Sequence, residues 1–164
     1  MNKHNNLNLQ CPVCQMMVNK STFVLEYLQR TYAFCSRQCQ ERFQSNPHLY
    51  IGTPGHPAPK QHGHEIIKKR IVKLYEPLSE NQSAVIVTDL GNMMGIKDIR
   101  VELDQIYISY NLLEITVEQI EATVEKTGEK LGNGLAEKLK RAFIHYLEES
   151  ELDNLESTGQ THRH

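Results

Sequence analysis

The residues best suited to chemistry in this sequence are its four cysteines, Cys11, Cys14, Cys35 and Cys39. They form a C-x2-C pair and a C-x3-C pair near the start of a chain of 164 residues. Each pair can hold a metal ion from one side, and a short hairpin between the pairs would fold the second back onto the first. This spacing is typical of a tetrahedral site of four thiolates, most often for zinc.

Two other uses of the cysteines remain open, namely disulfide bonds and redox chemistry. Disulfides need an oxidising compartment. The first ten residues are polar and rich in asparagine, and they contain no apolar core of a secretory signal. We therefore expect a loose N-terminal arm, a cytoplasmic protein and a metal site rather than disulfides.

Local sequence predicts the elements that would position the second cysteine pair. Residues 23–27 and 31–34 are rich in aromatic and branched side chains and predict two short strands. Ser36 is a good N-cap for a helix over Arg37–Ser45, and Pro47 would end that helix. The two sulfurs then lie at the positive end of the helix dipole, which favours thiolate over thiol. About forty residues cannot bury a sufficient core alone, so we expect the metal to complete this fold.

The cysteine-containing segment resembles the YHS/TRASH metal-binding domain, a treble-clef-like family. Members typically read PVCGM-V, then Y-x-FCS-x-x-C, then a phenylalanine and a P-x-x-Y ending. The matching residues are Cys11-Pro12-Val13-Cys14-Gln15-Met16-Met17-Val18, Tyr32-Ala33-Phe34-Cys35-Ser36, Cys39, Phe43, Pro47 and Tyr50. The resemblance implies a treble-clef-like zinc-binding unit, which we place over residues 1–52. It also implies a role in heavy-metal sensing, trafficking or resistance, in a family that occurs fused to metal-transport proteins.

Several residues depart from this family pattern. Gln15 and Gln29 stand where members usually carry glycine, and Gln38 replaces a histidine that is one candidate ligand. Cys11 stands where many members carry aspartate, and it completes a set of four sulfurs. The site therefore looks more purely thiolate than the family average.

Softer or weaker ligands lie near the cysteines. A thioether from Met16 or Met17 could favour Cu(I), although a methionine beside such a turn more often packs against the hairpin. His48 is expected to be exposed rather than a ligand. Residues 53–64 contain three prolines, two glycines and three histidines, which predicts a linker without regular structure. Its histidines, His56, His62 and His64, could bind a metal weakly, but a solvated spacer is favoured because nothing rigid holds them together.

Residues 65–132 predict a second unit with the element order βαββαβ. Its four predicted strands cover residues 66–75, 99–104, 106–110 and 129–131. Ser79 and Gln82 form a capping box for the first helix, which is expected to run to Met93 and Met94 and to stop at Gly95. A second helix begins after Thr116 and ends at Gly128.

This order is that of a ferredoxin-like fold, so the fold class predicted for the chain is α+β. Residues 95–101 resemble the helix-end motif of heavy-metal-associated domains, which form copper chaperones and the N-termini of metal-pumping ATPases. The C-x-x-C of that family would fall on Ser79 and Gln82, neither of which can hold Cu(I). The resemblance implies a degenerate domain that serves packing, dimerisation or partner docking.

The last part of the chain, 133–164, predicts an amphipathic helix and a tail. Large apolar residues recur at helical spacing on one face, namely Leu135, Leu139, Phe143, Tyr146 and Leu147. We expect this face to be buried, either on the sheet or against a second copy of the chain. The acidic stretch 148–156 is predicted to be a fraying, solvated extension, and 161–164 a disordered terminus.

Composition and motifs narrow the function. A net charge of −2 gives no general attraction to nucleic acid, and no apolar run reaches a membrane-spanning length. We find no catalytic motif, and four thiolates leave a metal no open position for substrate, so we expect no enzyme. The leading hypothesis is a zinc or copper homeostasis protein that acts as a sensor, buffer or delivery module with a metal-transporting ATPase. The alternatives are a structural zinc module that binds a protein partner and, less favoured, a nucleic-acid-binding zinc protein.

Overall fold

A computed structural model describes residues 9–18 and 23–161 of the chain. The start of the predicted N-terminal arm, residues 1–8, and the terminal residues 162–164 lie outside the described part. Among the described helices, none is both long and apolar enough to cross a membrane.

The first unit is built from two small hairpins and one helix. Strand β1 (Leu9–Gln10) pairs with β2 (Met17–Val18), and β3 (Val24–Tyr27) pairs with β4 (Arg30–Ala33), both antiparallel. Helix α1 covers Arg37–Ser45 and is followed by a 3₁₀ turn over Pro47–Leu49. The two predicted strands and the predicted helix are therefore confirmed, with strand ends shifted by one residue.

Aromatic rings form the core of this unit. The Phe43 ring centroid lies 5.2 Å from that of Phe34 and 6.3 Å from that of Tyr50. All three side chains are buried, as are Val13 and Leu49. Such rings bury large apolar areas, so α1 is held against the hairpins chiefly by its Phe43.

The second unit has one antiparallel sheet with β7 in the middle. Its strands are β5 (Ile67–Lys73), β6 (Ile96–Glu102) and β7 (Gln105–Asn111), in the spatial order β5-β7-β6. Helix α2 (Glu80–Gly91) precedes β6, and helix α3 (Val117–Lys126) follows β7. Ile86 and Leu90 of α2 and Ile120 and Val124 of α3 are buried, as are Ile106, Ile108 and Tyr110 of β7.

The caps of both helices are as predicted. Ser79 and Gln82 form a capping box at α2, and Thr116 forms one with Gln119 at α3. Each box satisfies backbone N–H groups that the first helical turn cannot pair internally. Short polar residues followed three positions later by glutamine therefore fix both helix starts.

The predicted end of α2 is wrong. The helix ends at Gly91 and Asn92 rather than continuing to Met94, because glycine and asparagine are weak helix formers. Met94 then lies in a turn before Gly95, whose φ is +85°. A Cβ at Gly95 would also come within 2.7 Å of the Glu114 Cβ, so both conformation and space require glycine there.

The prediction of a fourth strand at 129–131 is also wrong. It is reduced to a single antiparallel bridge between Leu131 and Leu74. Backbone hydrogen bonds flank this bridge, from Tyr75 N to Lys130 O at 2.8 Å and from Gly132 N to Lys73 O at 2.9 Å. The segment lies between Gly128 and Gly132, which leaves too few residues for a longer ladder.

Helix α4 covers Leu135–Thr161, and the structure corrects one prediction about it in full and another in part. The acidic stretch does not fray but continues the helix, and Glu148 is 1% exposed. Glu148 accepts a hydrogen bond from Val117 N at 2.8 Å and another from the Tyr110 hydroxyl. The apolar face is exposed rather than packed on the sheet, because Glu148 and Leu152 turn the opposite face of α4 inward, and its expected burial against a second copy of the chain stays a prediction.

The two units contact each other directly. The Tyr50 hydroxyl donates to Leu113 O at 2.6 Å. Near the end of α4, Asp153 accepts a hydrogen bond from Asn46 Nδ2 at 2.8 Å and Glu156 accepts one from His48 N at 2.9 Å. Helix α4 therefore reaches from the second unit back to the 3₁₀ turn of the first.

The predicted linker, residues 53–64, consists of turns with one isolated bridge between Thr53 and His56. Ala58 and Lys60 are buried, and Lys60 N donates to Leu49 O at 3.0 Å. The expectation of a solvated spacer is therefore wrong at these two residues, because the turns fold back onto the first unit.

Candidate metal centre

A tight backbone turn presents the first cysteine pair. Cys11 N donates to Met16 O and Gln15 N donates to Cys11 O, both at 2.8 Å. Gln15 closes this turn with a φ of 66°, a left-handed conformation that glycine adopts at least cost. Both thiols of the pair are thereby held on the same side of the loop.

The N-terminus of α1 presents the second pair. Ser36 is the N-cap, and its side chain accepts a hydrogen bond from Cys39 N. Cys35 therefore lies just before the helix and Cys39 in its first turn, as predicted. At this end of a helix the backbone dipole favours negative charge.

The structure brings the four sulfurs together. All four Sγ atoms lie within 4.8 Å of one another. The Sγ atoms of Cys14 and Cys35 are 3.3 Å apart, and those of Cys35 and Cys39 are 3.5 Å apart. A tetrahedral zinc site with zinc–sulfur bonds of about 2.3 Å has its sulfurs about 3.8 Å apart. The cluster therefore fits one metal ion, and its all-sulfur donor set suits zinc or Cu(I).

All four cysteines are free thiols in this arrangement. The predicted preference for a metal site over disulfides is consistent with this, since a disulfide would need a sulfur–sulfur distance of about 2.05 Å. Cys11 and Cys39 are buried, whereas Cys14 and Cys35 are partly exposed. The site therefore has a closed side and a side that faces solvent.

Close packing of the thiols changes their acidity. Hydrogen bonds from Cys14 and Cys39 lower the pKa of Cys11 far below its usual range. The shared hydrogen bonds with Cys11 raise the pKa of Cys14 and of Cys39, and burial raises both further. Without a cation, the thiol hydrogen bonds therefore favour negative charge on Cys11 over negative charge on Cys14 or Cys39, and a bound cation would offset the repulsion among further thiolates.

The methionines and histidines near the cysteines were further candidate ligands, and several of them differ from expectation in their exposure to solvent. Met16 and Met17 are 51% and 58% exposed, so neither packs against the hairpin as predicted. The His48 ring is partly buried rather than exposed, and its Nε2 lies 2.9 Å from the Tyr27 hydroxyl. The linker histidines His56, His62 and His64 are exposed, and the metal-sized cluster in the described residues contains cysteines alone.

Gln38 has a role that its sequence position does not indicate. Its Nε2 donates to Met94 O at 2.8 Å and to Glu114 O at 2.9 Å, and so links α1 to the second unit. The Gln119 amide returns a bond to Gln38 O at 3.2 Å. The sequence does not indicate this role, because the partners of the Gln38 side chain, Met94 and Glu114, lie far away along the chain.

Comparison with known protein families agrees with this part of the chain. The YHS domain model matches residues 9–53. This region includes all four clustered cysteines, and together they indicate metal binding. Neither the search of curated proteins nor the search of solved structures gives a match.

Proposed function

We propose that this protein binds one zinc or Cu(I) ion through the thiolates of Cys11, Cys14, Cys35 and Cys39. In this proposal it is a cytoplasmic, non-enzymatic protein of heavy-metal homeostasis that senses, buffers or delivers the ion. The convergence of four sulfurs within 4.8 Å carries the proposal. The match of residues 9–53 to the YHS domain supports it.

The uneven burial of the cysteines favours an exchangeable ion. Cys14 and Cys35 are partly exposed, so an incoming thiolate could reach the metal at this edge while Cys11 and Cys39 keep hold of it. In this proposal the thiolates are exchanged one at a time while the unit stays folded. A metal-transporting ATPase is the partner we propose for such a transfer.

We propose further that the second unit is a degenerate heavy-metal-associated domain with a ferredoxin-like arrangement. The strand order β5-β7-β6 and the bridge beside Leu74 support this arrangement. Ser79 and Gln82, at the positions of the missing C-x-x-C, are occupied in capping α2. The unit would then serve packing or partner docking rather than metal binding.

A structural zinc module is the second candidate. Cys11 and Cys39 are fully buried in the same cluster as Val13, Phe34 and Phe43, so an ion would tie the hairpins to α1. In that case the ion would stabilise the fold without being exchanged. Nucleic-acid binding is the weakest candidate, given the net charge of −2.

Metal transfer to a chromophoric chelator separates the first two candidates. If an incoming ligand attacks at Cys14 and Cys35, the release rate should rise with chelator concentration. A structural ion that leaves only when the unit opens should be released at a rate independent of chelator concentration.

A His56→Ala/His62→Ala/His64→Ala variant is the matched control, and it should bind the same one ion. A chain that retains no zinc or copper on purification from its own cell would contradict the proposal.

A further inference from the structure

One stripe of α4 carries large apolar side chains that face solvent. Their exposed fractions are 75% for Leu135, 62% for Leu139, 60% for Phe143, 64% for Tyr146 and 43% for Leu147. Together they expose on the order of 500 Å² per chain, at the size where an apolar patch on a monomer usually marks an interaction site. None of the residues that the structure describes covers this stripe, which therefore suits a partner.

Two charged residues border this stripe. Lys138 and Glu149 are exposed, and neither takes part in an ion pair among the described residues. Their separation of eleven residues is about three helical turns, so both lie along the same edge of α4. A cation thus stands at one end of the apolar stripe and a carboxylate at the other.

Charged residues are distributed along the whole of α4 in the same way, with cations in its first half and carboxylates in its second. Its part before Leu147 contains Lys138, Lys140 and Arg141 with a single carboxylate, whereas residues 148–161 contain five carboxylates and no cation. The acidic half would be repelled by an anionic membrane surface, which favours a protein as the occupant of the stripe. The chain carries both halves of a complementary charge pattern.

We propose that two copies of this chain pair through α4 in an antiparallel, two-fold arrangement. In such a pair the same edges of the two helices meet, with the symmetry axis near Phe143. Lys138 then faces Glu149 of the second copy, and Glu149 faces Lys138 of the second copy. A parallel pair would set the basic halves against each other and the acidic halves against each other.

The proposed interface is small but sufficient. Covering both stripes would remove on the order of 1,000 Å² from water, at the lower end of specific protein interfaces. The large side chains Phe143 and Tyr146 lie at its centre, where interface side chains contribute most to affinity. The metal centre is not part of this interface, so the pairing does not depend on the proposed function.

Sedimentation equilibrium of the metal-loaded, full-length chain at about 1 to 100 µM tests the pairing. The wild type should form dimers, and Phe143→Glu should abolish them. Val85→Glu, at a 50% exposed valine on α2, is the matched control and should leave the dimer unchanged.

Charge reversal tests the orientation. Lys138→Glu and Glu149→Lys should each weaken self-association about tenfold, since each places like charges opposite each other twice in the dimer. An equimolar mixture of the two variants should recover dimers of wild-type affinity, because each variant then meets opposite charges. A wild type that stays monomeric at about 100 µM, or a mixture that gains nothing over the separate variants, would overturn the proposal.

Discussion

The side-chain amide of Gln38 donates a hydrogen bond to Glu114 O at 2.9 Å, and this bond connects the helix of Cys39 to the second unit. The same amide reaches Met94 O. Gln38 directly precedes Cys39 of the sulfur cluster. In this chain the position therefore serves the contact between the two units.

Replacing Gln38 by alanine should destabilise the chain by about 1–2 kcal/mol, because two backbone oxygens lose their donor in a partly buried place. Urea unfolding of the metal-loaded protein, followed by circular dichroism, measures this loss. Gln44→Ala is the matched control, since Gln44 is exposed on the same helix and should change stability little. Equal stabilities for the two variants would contradict a role for Gln38 in joining the units.

Metal binding should release protons and should weaken as the pH falls. Thiols have to lose protons to become ligands, and the pKa values of Cys14 and Cys39 are raised. Each proton released makes the apparent affinity fall about tenfold per pH unit on acidification. Zinc titrations between about pH 6 and 8 with a competing chelator measure the slope, and a slope of zero would exclude thiol ligands.

Two glutamines adopt a backbone conformation that glycine tolerates better. Gln15 has a φ of 66° and Gln29 a φ of 63°. Gln29→Gly should stabilise the metal-loaded first unit by about 0.5–1 kcal/mol, the reverse of the usual glycine effect. Gln15→Gly should gain less, because it also removes the hydrogen bond from Gln15 Nε2 to Lys60 O at 3.4 Å.

Thermal unfolding measures these gains. The matched control is Gln44→Gly, since Gln44 is an exposed residue of α1 and the change should cost about 1 kcal/mol there. If all three glycine variants lose stability alike, the turns do not adopt the left-handed conformation.

Removing the Glu148 carboxylate should cost about 2–4 kcal/mol. The Glu148→Ala variant leaves Val117 N and the Tyr110 hydroxyl without their buried acceptor, and it leaves Arg70, whose Nε is 3.7 Å from Glu148, without its counter-charge. Chemical denaturation at low protein concentration measures the loss. Glu125→Gln, on the exposed side of α3, should be close to neutral. A Glu148→Ala variant as stable as that control would show that α4 is held by its apolar contacts alone.

Local chemistry made the first unit and the helix starts predictable. The caps at Ser36, Ser79 and Thr116 each depend on residues within three positions, and the cysteine spacing limits how the two pairs can meet. A pattern confined to a few neighbouring residues gives the same structure in most surroundings. This is why the predicted α1 and its cysteines agree with the structure.

The orientation of α4 was not predictable in the same way. Hydrophobic periodicity pointed to the stripe through Phe143 as the buried face, yet the opposite face is held inward by Glu148. The partners of Glu148 are Val117 and Tyr110, more than thirty residues away. From sequence alone, a carboxylate in an acidic stretch is expected to be solvated. The burial of Glu148 depends on the N-terminus of α3, which lies far away along the chain.

Hydrogen bonds from Asn46 Nδ2 to Asp153 and from His48 N to Glu156 join the last turns of α4 to the turn after α1. Anything that loosens the turn after α1 removes the anchor of the last turns of α4. The last turns of α4 therefore depend on the segment that directly follows the helix of Cys39.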